Sequence, residues 1–172
     1  MRRVESPSVE LRDPEPDGEK HELYLKHGTR FVLGANDDYE SFAESFFSYV
    51  PFGRVLEIRR EGRLVAACHI DMTEQSLSAI YSYWDPEESR LGLGTYAVLK
   101  CIELARSRDI PYVYLGYYVP ENRHMNYKVR FYPNEALIQE GQWLRFHDRD
   151  GKVVSPEVEV HGFLPVTRME QG

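Results

Sequence analysis

Apolar residues recur at three- and four-residue spacing through Tyr39, Phe42, Ala43, Phe46, Tyr49 and Val50, the period of a helix with one apolar face. Asn36 or Asp37 supplies its N-cap and Pro51 its stop. The period then changes to two. Residues 55–59 and 64–71, separated by Glu61-Gly62, predict a hairpin with Leu64, Ala66, Cys68 and Ile70 on one face and His69 and Asp71 on the other. Residues 77–84 predict a third strand, antiparallel because its connection is short. After Asp85-Pro86 and a glycine-containing turn, Val98, Cys101, Ile102 and Ala105 stripe a helix over residues 95–108. Residues 112–119 follow as a fourth strand, and strand, helix, strand is the crossover of a parallel pair. A short helix from Pro120 to Val129 and a hairpin over residues 136–146, turning at Glu140-Gly141, complete the pattern.

The flanks look different. Residues 1–20 carry three prolines and a dense run of acids, which reads as a flexible acidic arm. Residues 148–172 read as a polar tail with a strand near 158–160. One α/β domain over residues 21–147 remains, with a mixed sheet flanked by helices, and a chain of 172 residues buries enough surface to need no staples.

A net charge of -7 argues against a chain that coats nucleic acid through its overall field. The balance is local, however: residues 100–147 hold seven Lys plus Arg against five Asp plus Glu, so a polyanion would meet the middle of the chain. Cys68 and Cys101 lie in apolar runs and read as buried free thiols. No stretch is long and apolar enough for a membrane span and no signal-peptide core follows Met1, so the expected setting is cytoplasmic with no membrane partner. His69 and Asp71 alternate onto one strand face without a third ligand nearby, so no metal is expected.

The candidate chemistry begins at Arg90-Leu91-Gly92-Leu93-Gly94-Thr95. A strand, a Gly-x-Gly turn and a helix bring unpaired backbone N–H groups and the positive end of a helix dipole to one place, where Arg90 can add a charge-assisted contact. Two glycines before a helix also suit a plain tight turn. Beside the loop, Asp85 ends the third strand, and Tyr81 and Tyr83 share its face by alternation. Further on, Tyr114 shares a face with Gly116, and Tyr117 shares the other with Val113 and Leu115. Arg123 to Arg130 contains His124, Lys128 and an interleaved Tyr127, a pattern shared by phosphate-and-base contacts and by a solvated helix face.

The order helix, hairpin, third strand, glycine loop, helix, fourth strand resembles the GNAT acyltransferase fold. Its pyrophosphate motif asks for Gln or Arg, two residues, Gly, any residue, then Gly or Ala; Ser89 to Gly94 keeps both glycines but begins with Ser. A closer resemblance runs from about Leu23 to Leu144, through Ser78 to Pro86, Gly94 to Leu99, Tyr112 to Tyr117 and Met125 to Phe131. These segments resemble the C-terminal domain of the arginyl-tRNA-protein transferases and their bacterial leucyl-transferring relatives. The family carries an N-terminal domain as well, in whose place this chain has the short acidic arm, so the separate half is expected from a partner chain or a homodimer if it is needed.

The resemblance implies attack by an amine on the ester carbonyl of aminoacyl-tRNA, with no covalent nucleophile and no cofactor beyond that co-substrate. It implies that Asp85 binds or deprotonates the amine, and that Tyr117 and Lys128 act beside it. The donor would be held by Tyr81, Tyr83, Arg90, Leu91, Gly92, Leu93, Gly94, Thr95, Tyr114, Tyr127 and Arg130. The expected acceptor is the amine of a small molecule, peptide or protein N-terminus. Two other readings stand beside this one: an N-acyltransferase using acetyl-coenzyme A, which Ser89 disfavours, and a non-catalytic module binding tRNA or a partner protein.

Overall fold

The stretch expected to be a loose arm contains the first strand. In the computed structural model, which describes residues 6–31, 38–48, 50–138, 141–156, 158 and 164–168, β1 (Ser8–Arg12) pairs antiparallel with β2 (Gly53–Arg60), Ser8 opposite Arg59 and Arg12 opposite Val55. Pro7 and Pro14 bracket this strand and leave its ladder intact, so the composition of the whole stretch concealed a short pairing run. Helix α1 (Gly18–Gly28) follows, its first turn capped by Asp17, which accepts from the Lys20 N–H at 2.7 Å. Helix α2 (Tyr39–Phe47) is capped by Asp38, one residue beyond the expected Asn36 or Asp37; those two, like Tyr49, lie outside the described residues.

The chain divides into two compact units. The first comprises Met1–Met72 and Ile80–Cys101, and holds β1, β2, β3 (Arg63–Met72) and the later part of β4 (Ser76–Trp84) as sheet neighbours. Ile58 faces Ala66 across the hairpin but Arg59 faces Leu64, so Val65 is an extra residue, a β-bulge. The bulge overturns the expected alternation. Leu64 moves to the face of Ala67, where both pack with Leu23, Phe42, Val55 and Tyr83. Nor is there a polar face through His69: every residue from Leu64 to Ile70 is buried, because helices cover both sides of the strand. On one side Phe46 of α2 lies 5.1 Å from the His69 ring. On the other, Cys101 of α3 (Leu93–Ser107) brings its Sγ 3.8 Å from that of Cys68. Both cysteines are buried free thiols, and the Cys101 contact together with burial pushes the Cys68 thiol up.

α1 is fastened to the sheet by charge as well as by its apolar face. Lys20, only 4% exposed, places Nζ 2.9 Å from Glu57 Oε1 on β2 and also binds Asp17. Arg59 holds the other Glu57 oxygen at 2.8 Å, and Glu19 accepts the N–H of Leu64 at 2.9 Å. Burial alone would raise the Glu57 pKa and lower that of Lys20, yet their mutual pairing and the Arg59 and Asp17 contacts reverse both shifts.

The second unit comprises Thr73–Ala79 and Ile102–Gly172. The start of β4 pairs parallel with β5 (Tyr112–Tyr114), Ser76 opposite Tyr112, as the helical crossover requires. β5 is shorter than expected because Gly116 takes φ +75°, a left-handed conformation that ends the extended run. The supposed polar tail supplies β8 (Leu164–Arg168), which pairs with β5 and with β6 (Asn134–Leu137); β6 in turn pairs with β7 (Trp143–His147), the expected hairpin. Val158 is buried against Tyr118, Ala136 and Phe146, while residues 159–160 lie outside the described ones. The helix expected from Pro120 is only a 3-10 turn at Asn126–Arg130. A mixed sheet of this order with its helices is the α/β architecture read from the sequence. Among the described residues no helix is long and apolar enough to cross a membrane.

Candidate active site

In the first unit, β4 is followed directly by Asp85, whose N–H donates to the carbonyl of the bulged Val65 at 2.9 Å. Its side chain is fully buried and caps the 3-10 helix Pro86–Leu91, accepting from the Glu87 N–H at 3.0 Å. The same carboxylate binds Lys26 Nζ at 3.0 Å and the Arg63 guanidinium. Burial pushes the Asp85 pKa up, but Arg63, Lys26 and the Glu87 N–H outweigh it and hold the carboxyl below its usual range. The residue expected to bind or deprotonate the amine is thus a carboxylate whose oxygens are engaged in fastening the loop.

The next acids are fastened too. Glu87 meets Lys26 at 2.7 Å, and Glu88 meets Arg60 at 2.7 Å and Arg63 at 2.9 Å. Asp85, Glu87 and Glu88 are thus matched by Lys26, Arg60 and Arg63, while no hydrogen bond or ion pair engages Arg90 among the described residues. Sequence reasoning missed this clamp, because Lys26 and Asp85 are 59 residues apart and Arg63 and Asp85 are 22 apart.

The two glycines do different work. Gly92 takes φ +60° and turns the chain, and its carbonyl receives the first helical hydrogen bond, from the Tyr96 N–H at 2.9 Å. The amides of Leu93, Gly94 and Thr95 therefore lie at the open, positive end of α3. At Gly94 a Cβ would stand 3.2 and 3.3 Å from ring carbons of Trp84, so this glycine admits the indole against the helix. The indole is also covered by the Arg30 guanidinium, 4.3 Å from its ring centre. Replacing Gly94 with valine is expected to cost about 1–3 kcal/mol through overpacking, read as a lower urea midpoint.

The tyrosines of β4 do not form a row of open hydroxyls. Tyr83 is 0% exposed; its hydroxyl lies 3.3 Å from His69 Nε2, and burial pushes its pKa far up. It cannot touch a donor from that position. Tyr81 is half-buried against Phe46, ring centres 5.1 Å apart. Leu93 is buried in the helix base, whereas Leu91 and Thr95 are exposed.

In the second unit, two sequence candidates meet: Lys128 Nζ donates to the Tyr117 carbonyl at 2.8 Å. Asn126 Nδ2 donates to the Pro120 carbonyl at 3.1 Å, so the 3-10 turn is tied back onto the segment leaving β5. Burial lowers the Lys128 pKa. That ammonium lies against Gly116, where a Cβ would stand at an ordinary contact distance of 3.5 Å from Nζ. The Tyr117 ring is 65% exposed, Arg130 is exposed, Tyr114 stands 6.0 Å from Trp143 and Tyr127 stands 6.3 Å from Phe131. Strand alternation does not carry past Gly116, so Tyr117 and the buried Tyr118 are placed by that turn. Among the described residues no group of three or more His, Cys, Asp or Glu side chains could hold a metal ion.

Residues 19–138 match the family model described as the C terminus of arginine-tRNA-protein transferase. The chain belongs to that family. Among the curated relatives, the aspartate/glutamate leucyltransferase of Acinetobacter baylyi is 40% identical over 116 residues, covering 64% of this chain and 40% of that protein. The protein of the same name from Marinobacter nauticus is 43% identical over 111 residues, 62% of this chain and 46% of that one. That from Parvibaculum lavamentivorans is 51% identical over 89 residues, 51% of this chain and 37% of that one. The chain thus spans less than half the length of these relatives. Solved structures similar in fold include a GNAT-family acetyltransferase from Staphylococcus aureus, with TM-score 0.57, 12% identity and coverage of 95% and 100%. The ribosomal-protein-S18-alanine N-acetyltransferase of Escherichia coli gives TM-score 0.56 and 11% identity, with 96% of each chain covered. At these identities the likeness is one of fold, and the family is carried by the sequence match.

Proposed function

We propose that this chain is an aminoacyltransferase domain that moves a leucyl or arginyl group from charged tRNA to the amine of an aspartate or glutamate at a peptide N-terminus. The observation that carries the reading is the loop of the first unit. Its acids are matched by fixed cations, while among the described residues nothing pairs with Arg90 or the first amides of α3, which leaves them to a phosphate. Family membership points to aminoacyl-tRNA as the molecule bearing that phosphate, and the relatives' names point to the acceptor and the leucyl group.

In the reaction the amine nitrogen forms a bond to the ester carbonyl carbon, the ester C–O bond breaks, and the amine proton ends on the released 3'-hydroxyl of the tRNA. Such a step needs alignment and charge stabilisation more than a nucleophile from the protein. We assign Arg90, Gly92, Gly94 and Thr95 to the donor's phosphates, with Tyr81 and the exposed Leu91 beside them. Lys128, Tyr127, Arg130, Tyr114 and Tyr117 of the second unit are assigned, independently of that loop, to contacts with the tRNA. Asp85 becomes a positioning residue. We infer a cytoplasmic setting from the use of charged tRNA.

The test is transfer by the full chain from leucyl- and arginyl-tRNA to peptides beginning with Asp or Glu, followed by mass spectrometry. A product heavier by one aminoacyl residue is expected. Absence of product with every charged tRNA, together with stabilisation by acetyl-coenzyme A, would overturn the reading in favour of a coenzyme-dependent acyltransferase.

A further inference from the structure

The first unit contains a cavity of about 150 Å³ whose lining includes Ser45, Phe46 and Ser48 from the region of α2, and His69 and Asp71 from β3. A space of roughly that size takes a benzene-sized group. Gly53 faces Asp71 across the β2–β3 ladder and sends no side chain toward the carboxylate, and Val50 and Pro14 border the space on that side. Arg54 is also on the lining, and its guanidinium is engaged elsewhere, paired with Asp13 at 3.6 Å and donating to the carbonyls of Gly53 and Pro51.

His69 adds no positive charge at neutral pH. Burial and the nearby Lys20 lower its pKa to about 4, and its Nε2 is already occupied by the Tyr83 hydroxyl. Asp71 has neither a hydrogen bond nor an ion pair to its carboxylate among the described residues, and burial raises its pKa. Among the described residues no cation is paired with this partly buried carboxylate, which is therefore poised for a ligand that brings one. Two serine hydroxyls and the Phe46 ring suit the same guest, since hydroxyls accept from an ammonium and a ring face attracts it.

We propose that this cavity is a binding site for a primary ammonium group, held by Asp71 and lined by Phe46, His69 and, at its open side, the two serines. Resting on the aminoacyltransferase reading, it is the place where the acceptor's amine is collected before it loses its proton. The inference assigns a task to Asp71 that the donor loop cannot perform, because Asp85 is already committed to Lys26 and Arg63.

The test uses n-butylammonium as probe and n-butanol as its uncharged counterpart, titrated into the full chain and into Asp71→Asn at neutral pH. Binding is read from chemical-shift changes at Phe46 and His69. Wild-type protein should bind the amine and not the alcohol, Asp71→Asn should bind the amine at least about tenfold more weakly, and Asp71→Glu should recover part of the affinity. Among the described residues Asp71 has no partner to lose, so the asparagine variant should keep its fold, checked by an unchanged urea midpoint. Failure of the wild-type protein to bind the amine, or equal binding by Asp71→Asn, overturns the proposal. Because the probe needs neither tRNA nor turnover, amine binding in a protein that transfers nothing would sink the transferase reading alone.

Discussion

Replacing Lys20 with methionine is expected to destabilise the protein by about 3 kcal/mol, near the low end of the range for breaking a buried ion pair. The substitution leaves Glu57 buried on β2 with one of its two cations gone. Arg59 still holds the other carboxylate oxygen, which is why the loss should not reach the top of that range. For a chain of this size the thermal midpoint should fall by about 6–12 °C. The double variant Lys20→Met, Glu57→Leu should return to within about 1 kcal/mol of wild type, because it removes the stranded charge along with its partner. Denaturant titration of the four proteins closes the cycle. A single variant as stable as wild type would show that α1 is held by Leu23 and its apolar neighbours alone.

The largest effect on activity is expected at Asp85. Asp85→Ala removes the cap of the 3-10 helix and the shared anchor of Lys26 and Arg63, and should lower kcat/KM for aminoacyl transfer about 100-fold, the scale of a misplaced reacting group. Most of this should fall on the KM for charged tRNA, because the loop itself is displaced. Asp85→Asn keeps an oxygen for the Glu87 N–H and should lose roughly tenfold, a neutral cap replacing a charged one. The comparison decides between two roles. If Asp85 took the proton from the amine, asparagine would be as damaging as alanine while the KM for tRNA stayed unchanged.

Periodicity identified the helices and the hairpin because each has a run of residues whose spacing repeats. It placed α3 within two residues of its start and found the parallel crossover to β5. It failed where one residue changes the count: the bulge at Val65 moves Leu64 to the other face, and Gly116 ends β5 before Tyr117. It also failed where a strand is short and set among residues typical of loops, as at Ser8–Arg12 and Leu164–Arg168. Those strands exist because their partners do, and pairing across about 50 residues leaves no local signature. The glycine loop could be read directly, since Gly92 and Gly94 are neighbours in sequence. The clamp of Lys26, Arg60 and Arg63 and the cavity around Asp71 could not, since their members come from different elements.

Strands β1 and β8 have a practical meaning for anyone who cuts this chain. The family-matched segment, residues 19–138, contains neither of them. A fragment trimmed to that segment would strip the outer partner from β2 and the shared partner from β5 and β6, leaving rows of unsatisfied amides and carbonyls. Such edges recruit other chains, so the trimmed fragment is an aggregation hazard. The boundaries of evolutionary kinship and of cooperative folding differ in this protein, and expression work should follow the second.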